Sequence, residues 1–305
     1  MNQSRLKIAD LHIMINSLQL PIHQEQDQAY HPFENPETEI GKEPDITIDL
    51  QVGTTPDVVG RIKIFEDDES WSIFRVDDEY LLCFQPSKHG EEALWMARYP
   101  KDCSHVLVHC SEKLIDIRDG KQHLLNPVRY PLDQHLVMYH LSQMDGALIH
   151  ASGWEINGKG YIFPGRSGAG KSTQSRLFRI HHKWQGLSDD RMLVRKMGDD
   201  IRCYGTPWPG EEGIASNSGV NLAGIFFLCH GEDNRLRMIE PGQAFKMLLP
   251  VVSIPWYDRE ICLSIMRFCE DFLSQIPAYE LCFRPTEKVV DFFEAVVSSK
   301  NGLDA

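Results

Sequence analysis

The stretch Lys159-Gly160-Tyr161-Ile162-Phe163-Pro164-Gly165-Arg166-Ser167-Gly168-Ala169-Gly170-Lys171-Ser172-Thr173 decides how this chain is read. From Gly165 to Ser172 it fits G-x-x-x-x-G-K-[ST] at every fixed position, and Thr173 follows. A phosphate chain carries several negative charges and must be wrapped by backbone N–H groups at close range. Gly165, Gly168 and Gly170 allow positive φ and remove the Cβ atoms that would block that approach. A helix beginning near Lys171 points its N-terminus at the anion. Lys171 reaches the β- and γ-phosphates as a point charge, and the Ser172 hydroxyl is offered to Mg²⁺. The apolar Tyr161-Ile162-Phe163 predicts a strand before the loop, which gives the motif its strand–loop–helix setting. Gly165, Arg166, Ser167, Gly168, Ala169, Gly170, Lys171, Ser172 and Thr173 are therefore the expected nucleotide-binding residues, with ATP and Mg²⁺ as ligands.

Working outward, Asn157-Gly158 is a tight-turn signal between Ala147-Leu148-Ile149-His150 and the strand that leads into the loop. A hairpin there brings His150 towards the phosphates. Downstream, Gly186-Leu187-Ser188-Asp189-Asp190-Arg191 places two adjacent carboxylates at a strand end. One suits a metal-linked role and the other a base role, but neighbours on a strand point to opposite faces, so both reach one site only if the chain turns there. Asp189, Asp190, His150 and Lys171 are the catalytic candidates. Tyr204-Gly205-Thr206-Pro207-Trp208-Pro209-Gly210-Glu211-Glu212-Gly213 is too rich in Gly and Pro for a helix or a central strand. It reads as a rigid loop that lines a pocket or packs on Trp208. Ser172, Asp190 and Glu211 are the candidate metal donors.

The rest of the chain divides by texture. Residues 1–125 read as a β-rich accessory domain. Period-two alternation runs through Leu6–Ile13, Ile46–Leu50 and Arg61–Phe65, with two more strands around the Asp77-Asp78-Glu79 turn. Residues 21–45 suit a loop, and Glu66-Asp67-Asp68-Glu69 a solvated turn. Residues 126–305 read as an α/β nucleotide-binding domain. Helices are expected over Pro131–Met144, from Lys171 to about Ile180, over residues 258–276, and after a capping Thr286. Val220–Cys229 reads as a strand, and His181 and His182 as exposed residues at a helix end.

Among 305 residues, 31 Lys and Arg face 44 Asp and Glu, a net charge of −13. That surface argues against nucleic-acid binding, which needs clustered cations. Neither a leader segment nor a membrane span is expected, so the protein reads as cytoplasmic. The eight cysteines form no C-x-x-C pair and read as reduced core thiols.

Leu148-Ile149-His150-Ala151, Gly165–Thr173 and Leu187-Ser188-Asp189-Asp190 together resemble the catalytic domain of HPr kinase/phosphorylase and the wider HPr-kinase-like group. The resemblance implies a P-loop kinase fold like that of phosphoenolpyruvate carboxykinase, here preceded by the smaller β-rich domain. It also implies transfer of the γ-phosphoryl group of ATP to a serine hydroxyl. One Asp of the pair would accept the hydroxyl proton, with His150 beside the phosphates; Asp189 and Asp190 both match. The family's Glu-containing segment running into G-L-G-I-I-N is missing, and the Tyr204–Gly213 loop stands in its region. The acceptor expected is therefore a peptide, small protein or small molecule, and a homo-oligomer is compatible with the sequence. A regulator that binds or hydrolyses ATP without a phosphoacceptor is the alternative. An ABC-type ATPase is another, although L-S-G-G-Q and a hydrophobic run ending in Asp-Glu are absent.

Overall fold

In the computed structural model, residues 2–23, 27–34, 42–67, 70–86, 92–181 and 184–298 are described. Asp68 and Glu69 of the acidic run, and His182, lie outside them. The chain forms two compact units that divide between His140 and Leu141. The change of texture at residue 125 thus precedes the division by one helix.

The first unit is built on strands β1 (Asn2–Ile8), β2 (Leu11–Ser17), β3 (Ile22–His23), β4 (Ile46–Val52), β5 (Ile62–Glu66), β6 (Trp71–Val76), β7 (Glu79–Phe84), β8 (Trp95–Pro100), β9 (His105–Cys110), β10 (Ile115–Arg118) and β11 (Lys121–Leu125). Eight of them form one sheet in the order β1-β2-β4-β9-β8-β7-β6-β5, and β10-β11-β3 form a second. The alternation across residues 6–13 is two strands and not one. Ala9 and Asp10 turn at φ 52° and 62°, so Leu6 faces Ile13 across a hairpin. Buried Leu6, Ile8, Leu11, Ile13 and Ile15 keep the period of two on either side of the turn. Helix α1 (Leu132–Ser142) spans the division between the units. Its His135 and Tyr139 pack against the rings of Tyr80 and Tyr99. His135 Nε2 lies 2.7 Å from the Tyr99 hydroxyl. Burial pushes its imidazole down to about 3, so it stays neutral in the fold.

The second unit is mixed α/β. Its strands are β12 (Gly146–Ile156), β13 (Lys159–Pro164), β14 (Gln185–Ser188), β15 (Arg191–Met197), β16 (Asp200–Tyr204), β17 (Gly219–His230), β18 (Arg235–Ile239) and β19 (Ala278–Phe283). The helices are α2 (Lys171–His181), α3 (Pro241–Leu248), α4 (Arg259–Gln275) and α5 (Lys288–Ser298). The expected Asn157-Gly158 turn joins β12 to β13, with φ 53° and 76° at its two central residues. The sheet runs β13-β12-β15-β16-β17-β19-β18, and β14 pairs with β12. Pairing of β13 with β17 closes the first five of these strands into a ring. Strands β13, β17 and β19 are mutually parallel, so their C-terminal ends lie along one edge.

Phe163 on β13, Phe178 on α2, Phe226 on β17, Tyr279 on β19 and Phe293 on α5 are all buried in one aromatic core with Trp154. Ring centroids of Phe163, Phe178 and Phe226 stand 4.9–5.4 Å from that of Phe293. Such spacing gives aromatic pairs about 0.5–1.5 kcal/mol beyond their buried area. This core fixes α2, and with it the loop that α2 follows. On α4, Asp258 caps the first turn by accepting from the N–H groups of Glu260 and Ile261.

Not all eight cysteines are the reduced thiols that the sequence suggests. Cys229 and Cys282 form a disulfide. No local spacing announces it, because the two residues face each other only once β17 and β19 pair in parallel register. The other six cysteines are free and buried. Among the described residues no helix is long and apolar enough to cross a membrane.

Candidate functional site

The glycine loop hangs between β13 and α2. Gly165 donates its N–H to the His150 carbonyl at 3.2 Å, which holds the start of the loop against β12. Ala169 donates to the Arg166 carbonyl at 3.1 Å and closes a turn. Gly168 and Gly170 take φ of 82° and 99°, a region that side-chain-bearing residues avoid. A Cβ on Gly165 would stand 2.7 Å from the Ala169 Cβ, so only glycine leaves the cradle open there. Arg166, Ser167, Gly168 and Ser172 are exposed, whereas Lys171 is 6% exposed. Lys171 Nζ donates to the carbonyls of Gly165 at 2.6 Å and Arg166 at 3.2 Å. Burial pulls its ammonium below the ordinary lysine value; Arg191 adds to that and Asp190 opposes it. Underneath, the Ser152 hydroxyl donates to Gln174 Oε1 at 2.8 Å and anchors the first turns of α2.

The two aspartates after β14 have different employments. The Ser188 hydroxyl accepts from the N–H groups of Asp190 and Arg191 at 3.4 and 3.3 Å, and the chain bends at this point. Asp189 turns inward and is 5% exposed. Its Oδ1 accepts from the N–H groups of Gly210 (2.9 Å) and Ile214 (3.1 Å), and its Oδ2 from that of Glu212 (2.7 Å). Asp189 thereby holds the loop that the sequence marks as rigid. That loop is drawn close: a Cβ on Gly205 would run into the carbonyl oxygens of Leu187 and Ser216. Arg179 of α2 binds the same loop, its Nη2 lying 2.7 Å from the Glu212 carboxylate.

Asp190 turns the other way. Its Oδ1 lies 2.8 Å from His150 Nε2, and its Oδ2 lies 3.4 Å from Arg191 Nε. Burial pushes this carboxyl up, but the His150 hydrogen bond and the charges of Arg191, His150 and Lys171 outweigh it. The group is held below the usual carboxylate value and is ionised at neutral pH. His150 therefore joins the two halves of the site, with its carbonyl on Gly165 and its ring on Asp190.

Residues 114–282, more than half of the chain, match the family model described as SynChlorMet cassette protein ScmC. The chain belongs to the ScmC family. The span matched to ScmC holds His150, the glycine loop, Asp189 and Asp190. No curated protein matches the chain. Among solved structures it is similar to one titled "Structure of the Hpr(Ser) kinase/phosphatase from Coxiella burnetii", at 12% identity and a TM-score of 0.29. That match covers 49% of this chain and 87% of the other, and a superposition so loose bears on neither the fold nor the site.

Of the residues singled out in this ScmC sequence, the geometry groups His150, Asp190, Lys171 and the loop. Glu211 is exposed on the loop that Asp189 holds, and its neighbour Glu212 is engaged by Arg179. His181 is exposed at the end of α2, 3.9 Å from Glu287. Two neighbours were not legible in the sequence. Arg191 bears on Asp190, and its place directly after the Asp pair was the available signal. Phe283 lies against the loop, its ring 3.5 Å from where a Cβ on Gly170 would stand. It arrives from β19, and nothing local foretells the contact.

Proposed function

We propose that this ScmC-family protein is an ATP- and Mg²⁺-dependent kinase that transfers the γ-phosphoryl group to a serine hydroxyl of a peptide, small protein or small molecule. The observation that carries the reading is the double role of His150, which couples the phosphate cradle to an ionised carboxylate. Two features support a triphosphate there: glycines at positive φ leave the loop without Cβ atoms, and a buried ammonium stands at its foot. Gly165–Thr173 would hold the phosphates, and Ser172, Asp190 and, from the neighbouring loop, Glu211 are the oxygen donors that would be available to Mg²⁺. When bound, Mg²⁺ supplies neutralisation of phosphate charge.

The chain's own residues then act by position. Lys171 exchanges its two loop carbonyls for phosphate oxygens, and the desolvation it already bears strengthens its attraction to an anion. Asp190 is ionised and can accept the proton of the attacking hydroxyl. His150 fixes the carboxylate's orientation through Oδ1, leaving Oδ2 on the Arg191 side. Asp189, whose oxygens already accept three backbone N–H groups, is the anchor of the neighbouring loop and not the base.

Incubation with γ-labelled ATP, Mg²⁺ and serine-bearing acceptors tests it. Label on an acceptor supports the kinase. Free phosphate alone shows an ATPase, and binding without turnover shows a sensor. Lys171→Ala should abolish ATP use while leaving the fold intact. Wild-type turnover in that variant would refute the site.

A further inference from the structure

We infer that the recess beyond the ends of β17 and β19 receives the nucleoside end of the nucleotide. This rests on the phosphate-cradle reading above and extends it to residues that reading does not use. Strands β13, β17 and β19 are parallel, so the glycine loop, residues 231–234 and residues 284–288 all emerge from the same edge of the sheet. The recess measures about 350 Å³ and is lined by Glu232, Asp233, Asn234, Arg284, Glu287 and Lys288. That is within the size range of a small-ligand pocket.

One contact and one distance tie it to the loop. Arg284 directly follows Phe283, whose ring faces Gly170. The step from β13 across β17 to β19 is two strand spacings, about 10 Å, and β17 and β19 run about three residues, another ~10 Å, past the end of β13. A nucleotide whose phosphates lie on the loop can cover that distance with its sugar and base. The recess is also a built feature. Arg284 N–H donates to Asn234 Oδ1 at 3.2 Å, and Gly231 N–H donates to the Phe283 carbonyl at 3.1 Å, so its two walls are joined. The Cys229–Cys282 disulfide joins the same two strands just before the recess, Cys282 next to Phe283 and Cys229 two residues before Gly231.

The charges select the moiety. Its three carboxylates, Glu232, Asp233 and Glu287, outnumber its two cations, Arg284 and Lys288, which disfavours a phosphate there, and carboxylates accept from ribose hydroxyls. Arg284 is exposed and offers a planar guanidinium that stacks on a base. The recess therefore takes the uncharged end of the ligand, while the phosphates go to the loop.

Calorimetric titration of the full chain with ATP and with inorganic tripolyphosphate, each with Mg²⁺, separates the two claims. Wild type should bind ATP at least tenfold more tightly than tripolyphosphate. The double variant Asn234→Ala, Arg284→Ala should lose that advantage and keep its tripolyphosphate affinity. Equal affinity for the two ligands in wild type, or an unchanged ratio in the variant, overturns the recess and leaves the cradle standing. Failure of wild type to bind either ligand overturns the cradle and the recess together. Photolabelling of wild type with 8-azido-ATP needs no variant: label should fall on residues 231–234 or 284–288, and label confined elsewhere overturns the inference.

Discussion

Asp189→Asn and Asp190→Asn, one residue apart, should fail in opposite ways. Asp189 is buried, and its carboxylate accepts three backbone N–H groups, two on Oδ1 and one on Oδ2. A hydrogen bond to a charged acceptor contributes about 1.5–3 kcal/mol, a neutral one about 1 kcal/mol. Asparagine has a single carbonyl oxygen. It can keep the bonds to Gly210 and Ile214 as neutral ones, but its amide then opposes the Glu212 N–H, donor against donor. The weakened and lost bonds together come to about 4 kcal/mol, and an unsatisfied N–H adds to that. Asp190 is only partly buried, and an asparagine carbonyl there still accepts from His150. Its substitution should change stability by less than about 1 kcal/mol and, on the proposed role of Asp190 as base, lower phosphoryl transfer about 100-fold or more. Urea unfolding followed by tryptophan fluorescence reads the first effect, since Trp208 is carried on the loop that Asp189 holds. Transfer of labelled phosphate, alongside ATP titration, reads the second. A loss below about 1 kcal/mol in Asp189→Asn, or full transfer in Asp190→Asn, would refute the division of labour.

Three further outcomes follow from other parts of the molecule. Gly165→Ala puts a Cβ 2.7 Å from the Ala169 Cβ, so the loop must deform; ATP affinity should fall at least tenfold by calorimetry, and unchanged affinity would show the cradle is not where phosphates bind. Cys229–Cys282 closes a separation of 53 residues, which corresponds to about 4 kcal/mol of chain entropy. The unreduced, denatured protein should titrate six thiols and the reduced one eight, and eight in both would disprove the bond. His135 is neutral in the fold, with its value near 3, whereas the unfolded chain takes up a proton near 6.5. Unfolding therefore binds a proton between those values, and stability should fall as pH drops below about 6.5, by about 3 kcal/mol at pH 4.5. In His135→Gln the proton uptake on unfolding at pH 5 should be smaller by one, and equal uptake would contradict the assignment.

The glycine loop, the β12–β13 hairpin and α2 are local features. Positive-φ glycines, an Asn-Gly turn and a helical period act over a few residues, so the sequence alone determined them. The hairpin was also enough to predict that His150 would approach the loop. The Leu6–Ile13 alternation misled as to one strand or two, because a two-residue turn through Ala9 and Asp10 preserves the period on both sides. Which aspartate faces the loop could not be read, since both match the same motif. The answer depends on the bend at Ser188 and on three N–H donors from a segment folded back over Asp189. The disulfide and the approach of Phe283 to Gly170 were decided only when β17 and β19 paired in parallel. Parallel neighbours need long crossovers, and nothing in a short window of sequence records which distant residues those crossovers will set side by side.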